Sequence, residues 1–486
     1  MRPGAHLIAY ADRLAGSLPG LRELLDGPLA GVFTGVHVLP FFTPFDGADA
    51  GFDPIDHTAV DPRLGGWDDV RALAATHEVM ADAIVNHVSA DSPPFRDWLA
   101  RGDASPHAGM FLTLGGVYPD GVTEEELLRI YRPRPGLPFT PVTAADGTRR
   151  LVWTTFTPQQ IDIDVAHPTG RAYLREVLGT LAAGGVSLVR MDAVGYAVKT
   201  PGTESFMTPE TFAFIASLTE EAHGLGLEVL VEVHAHWRRQ VEIARHVDLV
   251  YDFALPPLVL HALTSGDGAP LRAWWEGRPR NAVTVLDTHD GIGVIDVGAD
   301  RADRSLAGLL GDAGIDALVR AIHANSGGTS TRATGAAASN VDLYQVNCTF
   351  YDALGRDDAR YLLARALQVF TPGHPQVYYV GLLAGGNDME LLARTNVGRD
   401  VNRHHFTRDE VLAALERPMV RAQLDLLRAR SSPAFDGEWS VTGPDAAPEL
   451  RFRGPGGEAT LTCDLRSAEF EAVVRDASGE RRIGPP

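Results

Sequence analysis

Cysteine and long hydrophobic runs are both scarce in this sequence. Only two of the 486 residues are cysteines, Cys348 and Cys463. Two isolated thiols exclude a disulfide framework, their spacing does not suit a zinc site, and both points favour a reducing, cytoplasmic location. No apolar run is long enough to span a membrane, and the first residues lack the pattern of a signal peptide. We therefore expect no membrane association and no secretion.

Positive charge is also in short supply. The chain has 43 Lys and Arg residues against 63 Asp and Glu residues, which gives a net charge of −20 at pH 7. Such an acidic surface argues against nucleic acid partners and against binding to an anionic membrane. It does not exclude a small anionic substrate, because a pair of arginines can reverse the field inside a pocket. The scattered histidines show no metal-ligand spacing, so the sequence predicts neither a metal nor another cofactor.

The apolar runs that are present are short and number eight. Most are separated by helical patterns, and Thr208 followed by Pro209 predicts one helix that begins there and ends near Glu221. Alternation of this kind predicts a parallel sheet with crossover helices, and eight units predict an α/β protein with a (β/α)8 TIM barrel. The predicted strands are residues 7–9, 35–41, 80–86, 187–192, 227–234, 249–253, 282–288 and 376–382.

Two intervals between predicted strands are too long for ordinary loops. Each follows the carboxyl end of a strand, so we expect two insertions over the catalytic face of the barrel. After about residue 435 the pattern changes to four short alternating strands, at residues 439–441, 450–452, 459–463 and 470–474, which predicts a small antiparallel β domain. The predicted organisation is a barrel of residues 1–86, 167–290 and 355–435, inserted domains at 87–166 and 291–354, and a C-terminal domain at 436–486.

Three carboxylic acids, Asp192, Glu232 and Asp290, lie at the ends of predicted barrel strands. Catalytic groups of parallel barrels occupy this position, and glycoside chemistry needs two carboxyl groups that flank the scissile bond. Arg190 points to the same side of its strand as Asp192 and favours the ionised carboxylate, although a purely structural salt bridge fits equally well. Burial of Glu232 would raise its pKa and suit a general acid.

Other candidate residues are ambiguous when they are considered singly. His87 and His289 follow strands and are compatible with structural roles as well as with binding hydroxyl groups. Phe52 and Phe156 fit a hydrophobic core as well as the wall of a pocket.

Four segments taken together resemble glycoside hydrolase family 13, the α-amylase superfamily. They are residues 82–87, 189–192, 230–233 and 286–290, in the order of the family's conserved regions. Segments 39–57, 130–139, 251–257 and 336–347 are more specifically similar to the bacterial sucrose phosphorylases. This resemblance extends to about residue 435 and is looser in the C-terminal domain.

The resemblance implies reversible, retaining phosphorolysis of sucrose to α-D-glucose 1-phosphate and D-fructose through a glucosyl-aspartate, without a cofactor. It implies small-molecule partners only, with the protein either a monomer or a homodimer. The implied roles are Asp192 as nucleophile, Glu232 as acid and base, Asp290 as transition-state stabiliser, Asp49, Phe52, His87, Phe156, Arg190, His234, His289 and Arg399 around the glucosyl group, and Arg134, Asp342, Tyr344 and Gln345 on the phosphate or acceptor side.

Three alternatives stay open at this point. A sister phosphorylase acting on sucrose 6'-phosphate, glucosylglycerol or glucosylglycerate would share the glucose-binding residues and differ only in its acceptor loops. A sucrose hydrolase or transglucosidase would differ in its response to phosphate. An inactive family 13 binding module is disfavoured by the intact set of three carboxylic acids.

Overall fold

A computed structural model describes residues 1–47, 49–133, 136–300, 303–335 and 343–485. Eight strands form a closed parallel barrel, in which each strand is paired with its neighbours in chain order and the last closes on the first. The predicted barrel is confirmed. The strands are β1 (Ala5–Ala9), β2 (Phe33–Val38), β3 (Glu78–Ile84), β4 (Leu188–Asp192), β5 (Glu228–Val231), β6 (Leu249–Asp252), β7 (Ala282–Thr284) and β8 (His374–Tyr378).

The bounds of the barrel strands differ from the predicted ones, because an apolar run does not reveal where its strand begins or ends. β7 ends at Thr284 although the apolar run continues to Leu286, and β8 begins at His374, two residues before the predicted start. Residues Tyr379–Leu382, predicted as strand, form a helical turn that is as fully buried as the strand before it. Burial accounts for the hydrophobic composition of both, so composition alone could not separate them.

Helices follow most barrel strands, as predicted. Thr208 caps the helix Pro209–Gly224 by accepting a hydrogen bond from the backbone N–H of Thr211 (3.3 Å), and this helix extends three residues beyond its predicted end. The α-helices outside the two insertions are Ala11–Ala15, Leu18–Asp26, Trp67–Ala74, Pro168–Ala183, Pro209–Gly224, Trp237–Ile243, Leu255–Ser265, Ala269–Gly277, Asp358–Phe370, Tyr379–Leu382, Met389–Thr395, Arg408–Leu415 and Pro418–Ala429, with 3-10 turns at Val194–Tyr196, Gly398–Asn402 and Pro433–Asp436.

The two long intervals contain secondary structure of their own. In the first, strand His87–Ser89 pairs with Gln160–Asp162 and strand Phe139–Thr143 pairs with Arg149–Trp153, and Trp153 packs in a small apolar cluster. Its helices are Pro93–Arg101, Leu114–Val117 and Glu124–Arg129, with a 3-10 turn at Gly102–Ala104. The second contains helices Asp312–Asn325, Thr329–Thr334 and Phe350–Ala353, and strand Ile292–Gly293 paired with Gln345–Val346. A separate short sheet pairs Phe42–Thr43 with Asp56–Val60.

The C-terminal segment forms one antiparallel sheet of five consecutive strands, of which four were predicted. They are β9 (Glu438–Thr442), β10 (Glu449–Gly454), β11 (Gly457–Cys463), β12 (Phe470–Asp476) and β13 (Gly479–Ile483). β13 escaped prediction because it is an edge strand of mostly exposed, charged residues that lacks apolar alternation. Charged side chains on an edge strand hinder pairing with other molecules.

The chain divides into two compact units. Unit 1 comprises Met1–His37, His234–Ala244 and Val250–Pro486, and unit 2 comprises Val38–Val233 and Arg245–Leu249. Among the described residues, no helix is long and apolar enough to cross a membrane. The predicted site residues in unit 2 are Asp49, Phe52, His87, Phe156, Arg190, Asp192 and Glu232, and those in unit 1 are His234, His289, Asp290, Tyr344, Gln345 and Arg399. Arg134 and Asp342 lie outside the described residues.

Candidate active site

Asp192 is the last residue of β4, and its carboxylate is held by Arg190 from the same strand. One guanidinium nitrogen of Arg190 donates to Asp192 Oδ1 (2.6 Å) and to Asp82 Oδ1 on β3 (2.6 Å). Burial raises the pKa of Asp192, and the carboxylates of Glu232 and Asp82 raise it further, whereas Arg190 lowers it. We expected Arg190 to favour the ionised form; it does so, but its charge offsets the effect of burial only in part.

Glu232 directly follows β5 and lies close enough to Asp192 for their charges to interact. Its Oε2 accepts a hydrogen bond from the backbone N–H of Ala193 (3.3 Å), a residue in the left-handed conformation (φ 53°). Because two neighbouring carboxylates repel each other, these groups resist being ionised at the same time. A pair in which one member carries a proton and the other does not can supply an acid and a nucleophile together.

His87 lies in unit 2 beside aromatic side chains. Its Nε2 hydrogen-bonds to the carbonyl of Phe52 (2.9 Å), and its ring meets the ring of Phe156 edge-on at 5.4 Å between centroids. Burial lowers the pKa of His87, so the ring is neutral at pH 7. The guanidinium carbon of Arg190 lies 5.6 Å from the ring centroid of Phe52. Asp49 acts electrostatically on His87. The structure therefore brings these five predicted residues together.

A buried lysine, which the sequence analysis missed, lies in the same unit. The Lys199 side chain is 1% exposed, and its ammonium contacts four oxygens: Asp162 Oδ2 (2.7 Å), Asn86 Oδ1 (3.1 Å), Thr155 Oγ1 (3.1 Å) and the carbonyl of Tyr196. These oxygens come from the end of β3, from the first long interval and from the segment after β4. A signal was present, since Lys199 is the only lysine in the chain.

Asp290 is the centre of the site residues in unit 1. Arg399 donates to its Oδ1, and a guanidinium nitrogen of Arg403 lies 3.9 Å from the same oxygen. Burial acts to raise the pKa of Asp290, but the charges of Arg399, His289 and Arg403 outweigh it and hold that pKa well below its ordinary value. Asp290 is therefore a carboxylate at any pH near neutral, and it suits electrostatic stabilisation of a cation.

His234, Tyr344 and Gln345 form a second group in unit 1. The His234 ring stacks on Phe253 with centroids 3.8 Å apart, and the ring of Tyr344 meets it at 5.7 Å. Gln345 Nε2 lies 3.3 Å from His234 Nε2. The structure thus brings three predicted residues together and adds Phe253, which could have been inferred from its place at the end of β6.

Comparison with known proteins identifies the family of this chain. The α-amylase catalytic domain family matches residues 11–243. The sucrose phosphorylase of Bifidobacterium adolescentis is 57% identical over 95% of this chain and 92% of its own length. The chain belongs to the sucrose phosphorylase family. A sucrose phosphorylase of Agrobacterium vitis is 55% identical over 99% of this chain and 97% of its own. The crystal structure of sucrose 6F-phosphate phosphorylase from Thermoanaerobacter thermosaccharolyticum superposes with a TM-score of 0.91 at 35% identity, covering 100% of this chain and 98% of that one.

Proposed function

We propose that this protein is a sucrose phosphorylase, which transfers a glucosyl group reversibly from sucrose to phosphate with retention of configuration. The observation that carries the proposal is the interacting pair of Asp192 and Glu232, in which Asp192 is held by Arg190. Identities of 57% and 55% to two sucrose phosphorylases over nearly the full chain support sucrose as the donor.

In the first step, the pair holds one proton, and Arg190 favours the state in which Glu232 carries it and Asp192 is ionised and free to attack the anomeric carbon. Glu232 protonates the fructosyl oxygen, fructose departs, and a β-glucosyl ester forms on Asp192. Asp290, which stays ionised, stabilises the positive charge that develops on the sugar ring. In the second step a phosphate oxygen attacks the anomeric carbon, its bond to Asp192 breaks, and α-D-glucose 1-phosphate forms while Glu232, now the base, takes the proton of the phosphate.

On the glucosyl side, we propose that His87, with Phe52 and Phe156, forms one wall of the pocket. His87 is neutral, so it can donate and accept hydrogen bonds with sugar hydroxyls without adding a charge. Asp49 and Arg399 bind the outermost hydroxyl of the glucosyl group in this proposal, with His289 beside Asp290.

On the acceptor side, we propose that Arg134 and Tyr344 contact phosphate and that Asp342 and Gln345 contact fructose. Arg134 and Asp342 take these roles from the family resemblance alone. An arginine suits phosphate because its planar guanidinium donates two parallel hydrogen bonds. We also propose a cytoplasmic location, consistent with two buried free cysteines.

The deciding experiment is to measure sucrose consumption with and without phosphate and to identify the products. We expect phosphate to accelerate consumption and α-D-glucose 1-phosphate to be the first sugar phosphate formed. First formation of the β-anomer would contradict the retaining mechanism. Equal rates with and without phosphate would instead indicate a hydrolase or transglucosidase.

A sister phosphorylase is the second candidate, because the superposed crystal structure is of an enzyme for sucrose 6F-phosphate. The same assay with fructose 6-phosphate, glycerol and glycerate as acceptors for glucose 1-phosphate distinguishes the candidates. If any of them had a higher kcat/KM than fructose, the glucoside of that acceptor, and not sucrose, would be the preferred donor.

A further inference from the structure

Asp296 is a fully buried carboxylic acid that the proposed mechanism leaves unused. Its Oδ2 lies 2.9 Å from Nδ1 of His234. Its Oδ1 accepts hydrogen bonds from the backbone N–H of Ala235 (3.1 Å) and from Nε2 of Gln240 (2.9 Å). Burial raises the pKa of Asp296, and its hydrogen bond with His234 opposes that shift. When Asp296 is ionised, its Oδ2 can only accept, so Nδ1 of His234 then carries a proton.

The other side of the His234 ring is defined by Gln345. Gln345 Oε1 accepts a hydrogen bond from the backbone N–H of Gly291 (3.3 Å), which orients the amide so that its Nε2 faces Nε2 of His234 at 3.3 Å. An amide nitrogen can only donate, so Nε2 of His234 presents its lone pair. Both neighbours therefore favour the same tautomer of His234, with the proton on Nδ1 and the lone pair on Nε2.

The ring is also fixed in orientation. It stacks on Phe253 with an interplanar angle of 13°. Gly293 lies against the His234–Asp296 pair, and a side chain at that position would overlap with Asp296 Oδ2. Gly293 is paired with Gln345 between the two short strands of the second long interval. Asp296 and Gln345 thus approach His234 from the same interval.

We propose that Asp296 is a positioning residue that keeps the proton of His234 on Nδ1, so that Nε2 accepts a hydrogen bond from the O–H of the incoming acceptor. Both acceptors of the reaction carry such a proton besides the one that passes to Glu232, since fructose has several hydroxyls and dihydrogen phosphate has two. The amide of Gln345 holds this position and exchanges with the acceptor when it binds. The proposal rests on the proposed function and extends it to the choice of acceptor.

Asp296→Asn tests this mechanism with almost no change of shape. Ala235 and Gln240 would keep the remaining Asn oxygen, so the new NH2 group would face Nδ1 of His234 and move its proton to Nε2. There it would oppose the NH2 group of Gln345. A histidine in the wrong tautomer is a severe defect where it acts as a base.

We expect Asp296→Asn to lower kcat/KM for phosphate, and for fructose in the reverse direction, by about 10- to 100-fold, as for other partners that orient a histidine. The burst of fluoride released when α-D-glucosyl fluoride glucosylates the enzyme should change less than about threefold, because no acceptor takes part in that step. A burst reduced as strongly as the phosphate reaction would overturn the proposal.

A spectroscopic readout does not depend on whether the variant is active. The 15N resonances of the His234 ring, identified by their loss in His234→Gln, should show the Nδ1–H form in the wild-type protein and the Nε2–H form in Asp296→Asn. A wild-type ring protonated on Nε2 alone would refute the proposal even if Asp296→Asn did not fold. If sucrose consumption did not depend on phosphate, the proposed function would be wrong. The same spectrum would still decide whether Asp296 sets the tautomer of His234.

Gln240→Met is the matched control. It removes one hydrogen bond to the same carboxylate and preserves the charge of Asp296, so the tautomer and the kcat/KM for phosphate should stay as in the wild type. If Gln240→Met and Asp296→Asn lowered kcat/KM equally, Asp296 would serve only to hold the local structure.

Discussion

Lys199→Met should destabilise unit 2 by removing the positive charge that pairs with a buried carboxylate. The Asp162 side chain is 0% exposed and lies 2.7 Å from the ammonium. Removing one partner of a buried ion pair costs about 3–5 kcal/mol, because the other charge is left uncompensated. Asp162 would keep two donors, the backbone N–H and the hydroxyl of Thr155. We therefore expect a loss at the lower end of this range, about 3 kcal/mol.

Lys199→Arg should not restore this stability although it preserves the charge. The four oxygens converge on one point, which suits a compact ammonium, whereas a guanidinium is planar and spreads its donors over a larger area. Every other residue among the 43 lysines and arginines is an arginine. That the single lysine occupies this oxygen cage agrees with a preference for a compact ammonium there.

The assay combines urea unfolding with reaction of the single ε-amine. The wild-type protein should react with an amine reagent only at its N-terminus until unit 2 opens, since the Lys199 side chain is 1% exposed. Arg96→Met, which breaks an exposed ion pair with Asp91, is the matched control and should change stability by about 1 kcal/mol or less. If Lys199→Met were no less stable than Arg96→Met, or if native Lys199 reacted rapidly, the cage would have no structural role.

Metal binding offers a further test of the cage. Carboxylate, amide, hydroxyl and carbonyl oxygens are also the ligands of Ca²⁺. In the wild-type protein the ammonium occupies the place of a cation, so exhaustive chelation should leave activity and melting temperature unchanged. In Lys199→Ala, added Ca²⁺ should recover part of the lost stability. A fall in wild-type melting temperature on chelation, reversed by Ca²⁺, would refute the metal-free prediction.

Three other predictions concern charge and protonation. Glu232→Gln should lower kcat/KM for sucrose by about 10²- to 10⁴-fold yet spare glucosyl transfer from α-D-glucosyl fluoride, whose leaving group needs no proton. Asp192→Asn should abolish the reactions of both donors. Equal losses with both donors in Glu232→Gln would contradict the assignment of Glu232 as the acid. Arg134→Ala should reduce kcat/KM for phosphate by an amount that corresponds to roughly 1.5–3 kcal/mol, and it should increase the share of the glucosyl ester that is lost to water. Arg132→Ala is the control: the Arg132 side chain donates to the carbonyl of Gly136, and its replacement should change neither quantity. Burial raises the pKa of Asp287 to about 6, which disfavours its ionised form in the folded protein. The gain in unfolding free energy from Asp287→Asn should therefore grow as pH rises from 4.5 to 7.5, and an equal gain at both values would show that Asp287 does not titrate in this window.

The barrel was predictable because its signal is repeated eight times. Each strand is a short buried run flanked by helical patterns, and an error at one boundary, as at Tyr379–Leu382, leaves the count of strands intact. β13 had no such redundancy, since it is a single polar edge strand whose pairing partner, and not its own composition, makes it a strand. Topology could thus be predicted from the sequence with more success than the ends of individual elements.

The site residues divide in the same way. Asp192, Glu232 and Asp290 could be proposed as catalytic because strand ends of a parallel barrel carry catalytic groups, a rule that needs only local sequence. The lowered pKa of Asp290 could not be predicted, because it depends in part on Arg399 and Arg403, which lie more than 100 positions beyond Asp290 in the sequence and contact it only in the fold.

Lys199 and Asp296 show what a strand-end rule does not detect. Neither ends a barrel strand, and each contacts a residue shortly after one: Lys199 contacts Asn86, next to His87, and Asp296 contacts His234, two residues after Glu232. Both are buried charges with several hydrogen-bond partners, and burial of a charge is favourable only when such partners are in place. These two charges therefore help to keep His87 and His234 in place, the histidines that face the sugar and the acceptor in the proposed mechanism. Replacing either charge should consequently change the ratio of kcat/KM between substrates more than it changes the chemistry at the Asp192–Glu232 pair.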